Sequence, residues 1–307
     1  MKLDALDKRL LETIADLHGV PAGAFNIRRN GQAVERRSTA NIEIRSKEDK
    51  PGIDVLIRPG TRNESVHIPV ILAASGMTDV VYNTFEIGED SDVLIVAGCG
   101  IHNPGEAEAR HDGIHEFFVR RGARVRYVEK HYGEGPGPGA RILNPQTIVH
   151  VEEGAEMILE TVQIRGVDDT QRVTSARVAS RGRLFMTERL LTHGTQRAIS
   201  DVTVELIGEE ASAEVISRSV AQDESEQLFR PRLIATAPAR GHVACDSIIM
   251  DRARISSVPE ISARHPEAEL THEAAIGKIA GDQLIKLMTL GLTEKEAIET
   301  ILRGFLR

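Results

Sequence analysis

The stretch GARVRYVEK (Gly122 to Lys130) decides the fold, because the chain repeats its plan at a nearly fixed interval. A turn-forming residue leads into a short apolar run, here VRYV (Val125 to Val128). The same pattern gives VLIV (Val93 to Val96), MILE (Met157 to Glu160), LFMT (Leu184 to Thr187) and EVIS (Glu214 to Ser217). Short apolar runs bounded by turn signals read as strands. The residues that introduce the strands are Gly60, Asp90, Gly122, Gly154, Gly182, Ala211 and Gly241, at intervals of 30, 32, 32, 28, 29 and 30 residues. A recurrence near thirty predicts one supersecondary unit per interval, stacked into a solenoid. The alternative is chance, which 26 glycines in 307 residues permit. Aromatic residues make up 3% of the chain and Trp is absent, so Val, Ile, Leu and Ala must fill the core. Stacked strands with aliphatic ladders suit that composition.

The totals narrow the function. The net charge is −8, a poor match to nucleic acid, which selects basic surfaces. Two cysteines give no disulfide framework and point to a reducing, cytoplasmic setting. The opening MKLDALDKRLLETIADLHGV lacks the apolar core of a signal peptide, and no run approaches the ~20 apolar residues of a membrane span.

Helices are expected at both ends. Leu3, Leu6, Leu10, Leu11 and Ile14 recur at helical spacing over residues 3–18, with Gly19 and Pro21 as stops. Leu284, Ile285, Leu287 and Met288 line a second helix ending at Gly291. Thr293 and Glu296 form a capping-box signature before a third, which carries Ala297, Ile298, Ile301 and Leu302. The chain divides into an N-terminal helical segment (1–39), a β-rich core (40–262) and a C-terminal helical region (263–307). The run GEGPGPG (Gly133 to Gly139) reads as a mobile loop. It lacks the GxxxxGK pattern of a phosphate-binding loop, so any ATP chemistry belongs to a partner.

Two groups of residues carry chemistry. In CGIHNPGEAEARHDGIH, Cys99, His102, His111 and His115 follow a C-x2-H-x8-H-x3-H spacing that loosely fits a four-ligand soft-metal site. The alternative is a polar turn at Asn103-Pro104-Gly105 flanked by surface histidines. Cys245 sits in GHVACDSIIM, where a lone cysteine is ordinarily an inert core residue. The pairs His272-Glu273 and His115-Glu116 do not extend to HExxH, because Ile276 and Val119 occupy the last position.

Four pieces occur in a telling order: GHVACDSIIM, VPEI (Val258 to Ile261), THEAAIGKIAGDQ (Thr271 to Gln283), and a Gly-Leu-Thr-initiated segment ending at Gly304-Phe305. Together, with a looser match through VRYVEKHYGEG and VISRSVAQ, they resemble the SufB/SufD family of SUF-type iron–sulfur cluster assembly scaffolds. The resemblance implies a mainly β protein: a right-handed parallel β-helix with a short N-terminal helix and a C-terminal helical hairpin. It implies a scaffold rather than an enzyme, building a transient iron–sulfur cluster from iron and sulfide. Cys245 aligns with a cluster-building cysteine and Glu273 with its carboxylate companion; His272 is a weaker candidate. Successive strand residues face opposite ways, so only one of that pair can face Cys245, and the resemblance favours Glu273.

The chain departs from the family pattern in places. The Cys-to-Glu separation is one residue shorter than in SufB, and Thr271 replaces a second carboxylate. His131 stands where the family has a sulfur-accepting cysteine, which leaves sulfur donor and route open and makes Cys99 an alternative acceptor or iron ligand. The short N-terminal region resembles minimal SUF systems and implies a homodimer serving both SufB and SufD roles. The C-terminal helices imply a docking site for a SufC-type ABC ATPase. Asp282, Gln283, Leu284 and Leu287 supply one helix, Gly291 the turn, and Glu296, Ile301 and Phe305 the other. Two rivals stand beside this reading: a tether that only holds the ATPase, and a β-helix enzyme acting on polysaccharide. Three Tyr and no Trp argue against sugar platforms.

Overall fold

The computed structural model describes residues 3–306 apart from 20 and 164. Helix α1 (Ala5–Ala15) comes first, then two hairpins: β1 (Ala24–Arg29) with β2 (Gln32–Arg37), and β3 (Ile42–Ser46) with β4 (Gly52–Ile57). The coils follow. In chain order they are β5 (Arg62–Leu72) and β6 (Thr78–Ile87), then β7 (Asp92–His102) and β8 (Ala109–Val119). Next come β9 (Arg124–Glu134), followed by β10 (Arg141–Leu143) and β11 (Gln146–Val151), and β12 (Glu156–Gln163) with β13 (Asp169–Val178). Then β14 (Arg183–Thr192) is followed by β15 (Arg197–Leu206), and β16 (Ala211–Ala221) by β17 (Glu226–Ala235). Strand β18 (Ala239–Ile249) is followed by β19 (Arg254–Ser257) and β20 (Glu260–Ala263). Strand β21 (Glu269–Gly277) precedes α2 (Gly281–Thr289) and α3 (Glu294–Phe305).

Each coil gives one strand to each of two facing sheets. One sheet runs β2-β1-β5-β7-β9-β12-β14-β16-β18-β21; the other holds the alternate strands. Neighbours are parallel except within the two N-terminal hairpins. The result is the expected parallel β-solenoid, of about eight turns. The sequence period has a physical cause at one corner. Gly60, Asp90, Gly122, Gly154, Arg181 and Glu210 all adopt positive φ, between 53° and 71°. Their backbone N–H groups each donate to the next coil's corner, Asp90 to Arg121 and Gly122 to Glu153 among them. The sequence anchors Gly182 and Ala211 lie one residue past the true corner, where a charged side chain tolerates the left-handed turn.

Both ends differ from the sequence expectation. Helix α1 begins with a capping box between Asp4 and Asp7 and stops at Asp16, in the left-handed region, before Gly19 is reached. It lies on the outer face of β7. A Cβ at Gly98 would stand 2.4 Å from the Ile14 carbonyl oxygen, so only glycine permits this approach. Segment 1–39 also contributes β1 and β2, and β1 pairs with β5. Segment 263–307 contains β21, which extends the sheet beyond β18. The two hairpins close the N-terminal end; at the other end, β21 is almost wholly exposed. Among the described residues, no helix is long and apolar enough to cross a membrane.

Residues 133–139 are laid against the preceding coil rather than loose. Gly137 and Gly139 donate to the Asn103 and Gly105 carbonyls at 3.1 and 3.0 Å. A Cβ on either glycine would lie 2.2 Å from backbone oxygen. Asn103, fully buried, stitches this corner through Nδ2 to the Ala107 and Gly139 carbonyls, both at 2.9 Å.

Candidate functional site

Alternation puts every second side chain inside, and the inward positions divide in two. The first half of each strand in the β1-to-β21 sheet points Val, Leu, Ile, Met or Tyr into a continuous apolar core. The second half points in polar groups. Cross-strand register builds two neighbouring inward files. One runs Cys99, His131, Gln163, Leu190, Ser219, Ser247. The other runs Ala97, Glu129, Thr161, Glu188, Ser217, Cys245 through the same pairings. The facing sheet adds Asp79, His111, Arg172 and Ser200, all at most 4% exposed. The two cysteines therefore belong to adjacent files, five strand steps apart. At about 4.8 Å per step that is roughly 24 Å.

The end nearest the N-terminus is a chain of charged contacts. Arg28 Nη2 donates to Asp79 Oδ1 at 2.7 Å, and Asp79 Oδ2 lies 3.1 Å from His111 Nδ1. Arg172 Nη1 donates to Glu129 Oε2 at 2.6 Å; its Nη2 is 3.3 Å from His131 Nδ1, which lies 3.4 Å from Gln163 Oε1. Ser200 and Ser217 donate to Glu188 at 2.7 and 3.2 Å. The Nε2 atoms of His111 and His131 are buried without a hydrogen-bond partner. Both rings act on the Cys99 thiol, which sits among Val70, Ile101 and Leu143.

This placement sets protonation. Burial by itself would raise the Cys99 thiol, but His111 and His131 outweigh it and bring it to about 7. Burial opposes a charge on His111, yet Cys99 and Asp79 hold the proton and lift it to about 10. Burial likewise opposes protonation of His131, and Glu129 with Cys99 lifts it to about 9. Glu129 would be raised by burial; Arg172 and His131 hold it well below the usual carboxylate range. Two imidazole rings beside the thiol, with Asp79 and Glu129 behind them, therefore ease ionisation of Cys99 inside the solenoid.

The four residues of the C-x2-H-x8-H-x3-H pattern are not brought to one point. Cys99 and His111 meet. His102 points outward and lies 3.2 Å from Glu134. His115 points inward but bonds elsewhere, its Nδ1 2.7 Å from the Tyr127 hydroxyl and its Nε2 3.2 Å from Asn83 Nδ2. Burial pushes His115 down to about 4; Glu129 opposes the shift, and His111, His131 and Arg172 add to it. Gly113 between them leaves room for both rings: a Cβ there would stand 3.2 Å from His111 Nε2 and 3.3 Å from His115 Nε2. Among the described residues, no three His, Cys, Asp or Glu are arranged to hold a metal ion.

Cys245 lies at the other end, 3% exposed, with Sγ 3.8 Å from Ser247 Oγ. Register on β21 pairs Val243 with His272, Ala244 with Glu273, and Cys245 with Ala274. Positions 243 and 245 point inward, so His272 shares the face of Cys245. Glu273 lies on the opposite face, 3.4 Å from His242 Nε2. In this register His272, rather than the Glu273 that the resemblance favours, shares the face of Cys245. Downstream, Thr293 and Glu296 form the expected capping box on α3. Gly291 turns at φ 98°. Ile285, Met288 and Leu290 on α2 and its end are exposed, and a groove of about 830 Å3 runs between α3 and Val162, Leu191 and Met250.

Sequence reasoning missed Asp79, Tyr127, Glu129, Arg172 and Glu188. A signal existed. Seven residues past the corner residues Asp90, Gly122, Gly154 and Arg181 lie Ala97, Glu129, Thr161 and Glu188, so stacking the coils on their corners aligns the file that holds both glutamates.

The SUF system FeS cluster assembly, SufBD core domain, family model matches residues 70–305. An iron–sulfur cluster assembly SufBD family protein of Archaeoglobus fulgidus is 32% identical over 264 residues, covering 84% of this chain and 69% of that one. A protein of the same description from Methanothermobacter thermautotrophicus is 29% identical, covering 87% of this chain and 65% of its own. One from Methanocaldococcus jannaschii is 25% identical and is covered over 84% of its length. A domain match across most of the coils, joined to a parallel β-solenoid with a C-terminal helical hairpin, places this chain in the SufBD family of iron–sulfur cluster assembly proteins.

Proposed function

We propose that the chain is a scaffold on which an iron–sulfur cluster is built as cargo, with Cys99 as the sulfur-receiving thiol and Cys245 as a cluster ligand. The observation that supports this reading is the pair of inward polar files joining the two cysteines. A Cys99 thiolate attacks the terminal sulfur of a donor persulfide; the new S–S bond forms as the donor thiolate leaves, with no net redox change. Release as hydrosulfide takes two electrons and a proton from a dithiol reductant, which leaves as its disulfide and returns the Cys99 thiolate. Gln163, Thr161, Ser217 and Ser219 line the way toward Cys245 with hydrogen-bonding groups. His272, on the same face as Cys245, is the nearer companion ligand, and Glu273 serves the outer face with His242.

Strand β21 is exposed on both faces and leaves its edge unpaired, which suits pairing with a second copy about a two-fold axis. The exposed Ile285, Met288 and Leu290 suit an ABC-type ATPase partner at the C-terminal hairpin, where Asp282 to Phe305 lie. Leu290→Asp then abolishes co-purification with the ATPase without lowering thermal stability.

Anaerobic reconstitution with iron and sulfide tests the scaffold reading by visible and Mössbauer spectra. Loss of the cluster in Cys245→Ser supports it. The tethering reading rests on Cys245 lying in the apolar core, and it predicts an unchanged outcome in Cys245→Ser and Cys99→Ser alike.

A further inference from the structure

A second concavity lies at the closed N-terminal end, far from Cys245. It has a volume of about 350 Å3 and lies beneath the two hairpins. Arg28, Arg36, Lys47 and Lys50 surround it, and no acidic residue lines it. Two of these cations are balanced, Arg28 by Asp79 and Lys47 by Asp54. The other two meet only neutral groups. Arg36 Nε donates to Asn26 Oδ1 at 2.8 Å and Nη1 to Ser46 Oγ at 2.9 Å. Lys50 Nζ stands 4.8 Å from the Tyr82 ring centroid. Neither forms an ion pair among the described residues. Partial burial already pulls the Arg36 guanidinium down, the direction expected of a charge lacking its counter-charge. The floor is apolar, made by Ile53, Ile68, Val70 and Val81.

A planar guanidinium fixed by two neutral acceptors, beside a mobile ammonium, is suited to an oxyanion head. An apolar floor beneath them suits an organic body on that head. We propose that this mouth binds a small organic anion bearing a phosphate-like dianionic head. The head lies between Arg36 and Lys50, and the body rests on Val70 and Val81. The site stands apart from the scaffold reading, and its test does not depend on clusters.

The pocket also has a connection inward. Arg28 lines it and bonds Asp79, which bonds His111, which acts on Cys99. Val70 on its floor is the register partner of Cys99. A dianion at the mouth weakens the positive field along this line and so raises the Cys99 thiol.

Isothermal titration calorimetry at low ionic strength tests the site, with phenyl phosphate and inorganic phosphate as probes of head plus body and head alone. The expected result is saturable binding, tighter for phenyl phosphate. Arg36→Gln combined with Lys50→Gln weakens it about tenfold or more, the factor that ~1.4 kcal/mol represents. Lys295→Gln on α3 leaves it unchanged. Lys50→Gln alone, at an exposed side chain with no ion pair, keeps the test valid should the double variant fold poorly. Absence of saturable binding overturns the proposal. So does binding that survives loss of Arg36 and Lys50 in a folded protein, and equal affinity for the two probes overturns the organic body.

Discussion

Cys99 lies directly across from His131 on the neighbouring strand, with both side chains inside the solenoid and His131 Nε2 3.6 Å from Glu129 Oε1. A thiol so placed ionises near neutrality. Titration of the 240 nm thiolate absorbance in Cys245→Ser, which leaves Cys99 alone, gives a midpoint near 7. His131→Gln removes one of the two supporting cations and moves that midpoint up by about one unit or more, ~1.4 kcal/mol of lost thiolate stabilisation. A midpoint unmoved by His131→Gln shows that the register pair has no electrostatic consequence.

His115 predicts a defined acid sensitivity. Its folded value is about 4 against an ordinary 6.5, so the unfolded chain takes up a proton first. The contribution it makes above pH 6.5 is lost as pH falls from 6.5 toward 4, by roughly 1–3 kcal/mol. His111 and His131, raised rather than lowered, hold their contribution in full below pH 6.5 and lose it as pH rises from there toward about 10 and about 9 respectively. Urea midpoints measured from pH 7 to 4.5 should fall in the wild type and flatten in His115→Gln.

Arg172 is the cation on which the middle of the interior depends. It is 4% exposed and serves Glu129 at 2.6 Å and Glu188 at 3.8 Å. Arg172→Leu leaves a buried carboxylate without its counter-charge and costs about 3–5 kcal/mol. Adding Glu129→Gln restores part of that loss. Chemical denaturation of the single and double variants checks both the size and the sign of the coupling.

The register of β21 separates the two members of the His272-Glu273 pair. With His272 on the face of Cys245, His272→Ala reduces bound iron in anaerobic reconstitution more than Glu273→Gln does. The opposite order of effects shows that β21 shifts by one residue when iron binds, because a one-residue slip exchanges the faces.

The fold was readable because its signal is local. A corner residue in the left-handed region recurs every 27 to 32 residues, and Gly or Asp marks four of the six corners. Arg181 and Glu210 carry no such mark, which is why the reading slipped by one at those turns. The interior was harder. Glu129 reads as one charge among many until it is aligned with Thr161, Glu188 and Ser217, and Arg172 arrives from the other sheet, 43 residues away in the chain. The C-x2-H-x8-H-x3-H spacing groups Cys99 with His102, although odd and even positions on β7 face opposite ways, and only His111 of the other pair meets Cys99. Spacing along the chain fixes neighbours on one strand. Contacts between coils depend on register, which accumulates through every corner.

Because each corner repeats the last, the molecule behaves as a ruler with fixed graduations. Gain or loss of one whole coil leaves every inward file in phase and moves Cys245 relative to Cys99 by a single strand step, about 4.8 Å. Gain or loss of a single residue within a strand instead turns all later side chains inside out. Length changes that keep the files in phase are therefore whole coils, or fall at the corners and ends as the uneven 27-to-32-residue spacing does, and the gap between the two thiols takes only discrete values.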